Sequence, residues 1–229
     1  MITWSILVPC YNEAQRGKKF LFELADFVSS IKNKELILID DGSTDDTINL
    51  LERVAAEHSF IRILKLRPNR GKGGAIKAGI FKAKGRKIIF IDADGSIAPD
   101  QLPRMMNLLE KHPFVIASRY FERERIKQPF SRVIVGTIFN TYVNLLFRIH
   151  IKDTLCGFKG FDAAIARKLF KNLISMRWIF DVEIFYRARK NRIPIKQFSI
   201  DWQHCGGSKI TFFEPVRMAW RLLVLRMKI

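Results

Sequence analysis

The 229-residue sequence predicts an α/β fold: a mostly parallel central sheet flanked by helices. Three observations carry this. Short apolar runs recur at Ile2–Val8, Glu35–Asp40, Phe60–Leu66, Lys87–Ile91, Phe114–Ser118 and Ile193–Ile200, each the length of a buried strand. Segments with apolar residues three and four apart lie between them. Polar, glycine-bearing loops follow the runs, so strand and helix alternate as in βαβ units.

The elements follow in order. Ile2–Val8 is closed by Pro9 and the loop Cys10-Tyr11-Asn12-Glu13. Phe20, Leu21, Leu24, Phe27, Val28 and Ile31 trace one face of a helix. Glu35–Asp40 ends in Asp41-Gly42-Ser43-Thr44, where Gly42 turns the chain and a hydroxyl caps a helix reaching about His58. Phe60–Leu66 leads into the basic glycine-rich loop Arg67–Gly74, and a helix runs from about Ala75 to Lys84. Ile88–Ile91 runs straight into Asp92-Ala93-Asp94. After Phe114–Ser118 comes the polar stretch 121–132, then an apolar helix over Val133–Ile149 with Gly136, Asn140, Asn144 and Arg148 four apart on one face. Gly157 and Gly160 give Asp153–Phe161 the character of a shaped loop, and Arg177–Ile184 opens a further helix. The tail, 213–229, forms a basic amphipathic helix with Pro215 in its first turn.

Composition narrows the functional classes. Forty Lys+Arg against 22 Asp+Glu give a net charge of +18, which calls for an anionic partner: nucleic acid, an acidic membrane surface or a phosphorylated substrate. The basic residues are dispersed and form no nucleic-acid motif. Cys10, Cys156 and Cys205 are few and widely spaced, so neither a disulfide framework nor a zinc site is expected, and a reducing compartment is. No stretch reaches the roughly 20 apolar residues of a membrane span, and the N-terminus lacks the features of a signal peptide. Val133–Ile149 reads either as a buried core helix or as one lying against lipid.

In a parallel sheet, ligands bind beyond the carboxyl ends of the strands. The loops at Pro9–Glu13, Asp40–Asp45, Arg67–Gly74 and Asp92–Ser96 should therefore share one edge. Tyr11 suits stacking on a base or ribose. Glu13, Asp40 and Asp41 suit hydrogen bonds from ribose or base. Lys72 at a helix N-terminus suits a diphosphate. Asp92 and Asp94 repel each other unless a cation intervenes, and oxygen ligands suit Mg²⁺ or Mn²⁺. The plainer alternatives are a first-turn acid, a turn residue, a solvated lysine and a helix cap. The glycine loop has neither the P-loop nor the dinucleotide order.

Val8-Pro9-Cys10-Tyr11-Asn12-Glu13, Asp40-Asp41-Gly42-Ser43-Thr44-Asp45, Asn69-Arg70-Gly71-Lys72-Gly73-Gly74-Ala75 and Asp92-Ala93-Asp94 together resemble the nucleotide-binding half of inverting glycosyltransferases with the Rossmann-like GT-A fold. Asp153-Thr154-Leu155-Cys156-Gly157-Phe158-Lys159, Arg177–Glu183 and Gly207-Ser208-Lys209 narrow the resemblance to dolichyl- and polyprenyl-phosphate hexose synthases, leaning to the glucose branch. The resemblance implies a glycosyltransferase domain over 1–212, including an apolar interface helix at 132–150, with the tail helix 213–229 appended. It implies a nucleotide-sugar site at Pro9, Tyr11, Glu13, Asp41, Lys72, Asp92, Ala93, Asp94 and Lys209, and a metal, Mg²⁺ or Mn²⁺, on Asp92 and Asp94. Arg119 and Arg132 would bind the acceptor phosphate, and Asp153 would orient the sugar or act as a base. The implied reaction moves a hexose, from UDP-glucose or else GDP-mannose, to a polyprenyl phosphate with inversion. The implied location is the cytoplasmic face of an anionic membrane, without a transmembrane segment. The alternatives are a saccharide hydroxyl as acceptor and, from another class, nucleic-acid binding.

Overall fold

The structure is a computed structural model; it describes residues 1–119, 130–203 and 214–229, with backbone alone at 130–135 and 214–217. Seven strands form one sheet: β1 (Trp4–Cys10), β2 (Lys34–Asp40), β3 (Ile61–Lys65), β4 (Lys87–Ile91), β5 (Phe114–Ser118), β6 (Phe158–Asp162) and β7 (Lys196–Ser199). Among the described residues, eight α-helices accompany them: α1 (Lys18–Ser29), α2 (Thr47–Ala56), α3 (Lys72–Lys82), α4 (Leu102–Lys111), α5 (Phe130–Phe147), α6 (Ala163–Phe170), α7 (Phe180–Lys190) and α8 (Glu214–Lys228).

The strand order is β3-β2-β1-β4-β6-β5-β7. All neighbours run parallel except β6, which is antiparallel to both β4 and β5. Apolar side chains alternate across the pleat, so each face of the sheet carries its own core. One gathers Leu7, Ile39, Phe90, Phe161 and Phe180 under α3, α6 and α7. The other gathers Ile6, Leu38, Ile91 and Phe158 under α1, α2 and α4.

No hydroxyl of Ser43 or Thr44 caps α2, whose N-cap is Asp46, and α3 begins at Lys72 rather than Ala75; two strand expectations change as well. First, β1 does not stop at Val8; it continues through Pro9, which pairs with Ile39. Pairing with β4 ends at Leu7, so at Pro9 the strand is flanked on one side only and the missing N–H is tolerated. Second, the expected loop 153–161 is half strand. Phe158-Lys159-Gly160-Phe161-Asp162 lacks strand-like alternation, yet it is β6 in the middle of the sheet. Gly160 is required there by packing: an added Cβ would lie 2.5 Å from Leu109 Cδ1 and 2.9 Å from the Met105 sulfur.

The four-apart polar stripe on α5 has a clear task. Asn144 donates to the Ile151 carbonyl at 2.8 Å and accepts from the Ile151 N–H at 3.0 Å. Asn140 donates to the carbonyls of Ile151 and Lys152 and accepts from the Thr154 N–H. The helix thereby pins the segment that carries Asp153. α8 packs on α5, with Tyr142 Oη donating to the Ala219 carbonyl at 3.2 Å. Its buried face is Met218, Leu222 and Leu225.

Candidate active site

The carboxyl ends of β1, β2, β4 and β5 deliver Tyr11, Asp41, Asp92 and Arg119 to one edge. β6 runs the other way, so its start lies at that edge: Ile91 faces Phe158 in the register, and Asp92 N–H donates to the Gly157 carbonyl at 3.1 Å. The antiparallel strand is the device that sets the Asp153–Gly157 loop beside the two aspartates. The fit there is tight, since an added Cβ at Gly157 would stand 1.9 Å from Asp92 Oδ2.

At the ends of β1 and β2, the two loops are knitted together. Asn12 N–H donates to Ser43 Oγ, Thr44 N–H to Asn12 Oδ1, and Glu13 N–H to Thr47 Oγ1 at 2.7 Å. Glu13 is buried, and Arg16 holds it bidentately, Nε to Oε2 at 2.9 Å and Nη2 to Oε1 at 2.7 Å. Asp40 is fully buried; it accepts from the Ser43 N–H and from Arg67 Nη1, so its role is to shape the turn. Asp41 Oδ1 accepts from the Arg70 N–H at 2.8 Å. Burial pushes the Asp41 carboxyl above its usual range, against the pull of the Arg70 and Gly71 amides. Tyr11 stands half out of the surface above them.

The glycine loop owes most of its glycines to packing. An added Cβ at Gly73 would meet Phe180 at 2.7 Å, and at Gly71, where φ is +79°, Met176 O at 2.7 Å. The Gly74 N–H donates to the Met176 carbonyl at 3.0 Å, and the Gly71 N–H to Asn69 Oδ1 at 3.2 Å. Those two amides are therefore already engaged within the protein, and the cationic side chain at the start of α3 is Lys72. Its Nζ reaches Asp92 Oδ1 at 2.6 Å and Oδ2 at 2.8 Å, and lies 5.8 Å from the Trp178 ring centroid.

Asp94 Oδ1 accepts from the Ser96 N–H at 3.0 Å. Burial raises Asp92 above the usual carboxylate range and the charge of Asp94 adds to this, while Lys72 opposes it. A further cation between the aspartates would relieve this strain. Among the described residues no group of three His, Cys, Asp or Glu could hold a metal ion. One or two carboxylates with substrate phosphates completing the shell is nonetheless the usual way of holding Mg²⁺, and Asp92 with Asp94 fit that pattern.

On the other side of Asp92, Asp153 is buried and clamped by Arg119. The Arg119 backbone N–H and Nε both donate to Oδ2, at 3.0 and 2.7 Å, and Nη2 donates to Oδ1 at 2.9 Å. Burial alone would raise the Asp153 carboxyl; the Arg119 guanidinium outweighs it and holds the carboxyl below its usual range. The Arg119 guanidinium also lies 5.5 Å from the Trp202 ring centroid. The structure thus joins Arg119 and Asp153, named separately from the sequence, into one unit. Pro9, Tyr11, Glu13, Asp41, Lys72, Asp92, Ala93 and Asp94 share its edge. The side chain of Arg132 and the whole of Lys209 lie outside the described residues.

Sequence reasoning missed Arg16, which the spacing to Glu13 could have flagged as an i,i+3 pair. It also missed the buried pair Lys159–Asp181, 2.8 Å apart, which no spacing announces.

Strand-end acids, a lysine at a helix N-terminus and an arginine-clamped aspartate on a mixed α/β sheet define a GT-A glycosyltransferase. The solved neighbours share the fold: glucosyl-3-phosphoglycerate synthase of Mycobacterium tuberculosis, in complex with Mn²⁺, UDP and phosphoglyceric acid, superposes with a TM-score of 0.75 at 18% identity, covering 100% of this chain and 79% of its own. The chain matches the profile described as glycosyl transferase family 2 over residues 5–170, and it belongs to that family. It is 36% identical over 241 residues to the dolichyl-phosphate beta-glucosyltransferase of Dictyostelium discoideum, covering 98% of this chain and 74% of the relative. To that of Homo sapiens it is 35% identical over 242 residues, covering 98% and 75%.

Proposed function

We propose that the enzyme transfers glucose from UDP-glucose to a dolichyl or related polyprenyl phosphate, with inversion at the anomeric carbon. The observation that carries this reading is the Arg119–Asp153 clamp. A hydroxyl acceptor needs a base with an available lone pair and a pKa near the working pH. Asp153 is instead ionised, buried and held by three donors. A phosphate monoester, with a second pKa near 6, is already an anionic nucleophile at neutral pH and needs no such base. Its oxygen forms the bond to C1 as the bond from C1 to the diphosphate breaks; no proton is removed. The task left to the protein is positioning and charge stabilisation.

In this reading Tyr11, Glu13 and Asp41 bind the nucleoside, and Lys72 meets the diphosphate. Arg119, oriented by Asp153, would bind the acceptor phosphate, as would Arg132, and Lys209 would serve the donor diphosphate. Asp94 and Asp92 would hold Mg²⁺ or Mn²⁺, which supplies charge neutralisation for the departing diphosphate. Similarity to dolichyl-phosphate beta-glucosyltransferases over nearly the whole chain supports both the donor and the acceptor. The UDP and Mn²⁺ bound by the M. tuberculosis synthase are in keeping with the same edge chemistry.

The reading extends to the surface. No helix among the described residues is long and apolar enough to cross a membrane. Ile138 and Leu145 on α5, and Trp220, Leu223 and Met227 on α8, are exposed. Arg221, Arg226 and Lys228 on α8 add cations for anionic lipid. Residues 1–212 act as the catalytic domain, and the helix within 213–229 joins α5 in docking it on the cytoplasmic face, where the buried free thiols of Cys10 and Cys156 stay reduced.

The test is purified protein with Mg²⁺ and dolichyl phosphate, given labelled UDP-glucose or GDP-mannose in parallel. Lipid-linked label from UDP-glucose alone is the expected result; label from GDP-mannose alone would overturn the donor assignment.

A further inference from the structure

Lys159 and Asp181 lie beneath the site, and solvent reaches almost none of either residue. Lys159 stands in mid-β6, paired through its backbone with Phe90 of β4 and Ile116 of β5. Its Nζ is 2.8 Å from Asp181 Oδ1, donates to the Cys156 carbonyl, and lies 5.5 and 5.4 Å from the ring centroids of Phe90 and Phe185. Asp181, in the first turn of α7, has no well-aligned hydrogen-bond donor for Oδ1 among the described residues. The contact is an ion pair in an aromatic setting, where desolvation of two charges costs several kcal/mol each. Apolar residues of similar size commonly serve the fold as well or better.

The location gives the pair another use. Through the Cys156 carbonyl, Lys159 fixes the segment whose Gly157 carbonyl receives the Asp92 N–H and whose Asp153 clamps Arg119. Its charge acts on Asp92 and on Asp153, and that of Asp181 acts on Lys72. Donor-side and acceptor-side groups thus share one buried anchor.

We propose that Lys159–Asp181 is a positioning unit that sets the Lys72–Asp92 pair and the Asp153–Arg119 pair at a fixed distance from one another. It touches neither substrate. The proposal rests on the transfer reaction proposed above. Misplacement of reacting groups by about an ångström lowers turnover by roughly 100-fold without a matching loss of binding.

The test is the double variant Lys159→Met/Asp181→Leu, which removes both charges together, assayed beside wild type with UDP-glucose and dolichyl phosphate. We expect a folded protein whose kcat falls at least about 30-fold, with KM for each substrate within about threefold. The variant Asp181→Asn, nearly isosteric, should lose about tenfold in kcat with the same unchanged KM values. A kcat within threefold of wild type in either folded variant would overturn the proposal, as would KM values rising in step with an unchanged kcat. Failure of both variants to fold would mean that the pair serves the fold and not the site, and would overturn it as well. Inactivity of wild type in the same assay would instead sink the substrate reading, and this proposal with it.

Discussion

Asp153 ties the chemistry of single residues to stability. Arg119 holds its carboxyl below the usual range, so the folded state binds that proton less tightly than the unfolded chain, where the pKa is about 3.9. The clamp's contribution is present in full above the unfolded value and is lost as pH falls through the folded one. Denaturant unfolding at pH 5 and pH 3 should show a steeper loss of stability in wild type than in Asp153→Asn; parallel losses would contradict the clamp. Asp94 offers a second test. It is half-buried, and among the described residues its side chain accepts from the Ser96 N–H, so Asp94→Ala should unfold within a few degrees of wild type yet lose transfer at least about 100-fold. Retention of substantial metal-dependent activity would remove the metal from Asp94. Residue identity at this scale was well legible: Asp92, Asp94, Lys72 and Asp41 all reach the edge expected of them. Their partners were not, because the contact of Lys72 with Asp92 is a fact of distance between residues 20 apart, and a motif records only order.

At the scale of elements, β6 is the part that sequence patterning did not reach. Its residues alternate poorly, include a glycine and bury a lysine, all of which argue against a central strand. The neighbours overrule that preference: Gly160 leaves room for Leu109 and Met105, and Asp181 meets the lysine. The α5 stripe was visible as a spacing, while its function, hydrogen bonding residues 151–154, needed the loop in place. Gly157→Ala tests how closely β6 governs the site. The new methyl would occupy the position of the Asp92 carboxylate, so activity should fall by about 100-fold or more. Stability should fall by about 1–3 kcal/mol, the range for overpacking. Near-wild-type turnover would show that Asp92 can move without consequence.

For the molecule as a whole, alternation of strands and helices was enough to foresee a mostly parallel α/β sheet, since each of its parallel strands declares itself by composition. The antiparallel insertion was not foreseen, and it is what brings the Asp153–Arg119 pair beside Asp92. The exposed apolar residues of α5 and α8 belong to the assembled surface, and the proposed membrane docking is tested there. Trp220→Ser/Leu223→Ser should reduce co-sedimentation with anionic vesicles several-fold, and wild-type binding should weaken as salt rises. Equal sedimentation of both proteins would free α8 from that role. The central claim is that the acceptor nucleophile is a lipid phosphate. It is tested most directly by initial rates with UDP-glucose and three acceptors: dolichyl phosphate, the unphosphorylated alcohol and a free saccharide. Transfer confined to dolichyl phosphate, giving a β-linked product, is the predicted result; faster transfer to either hydroxyl acceptor would contradict it.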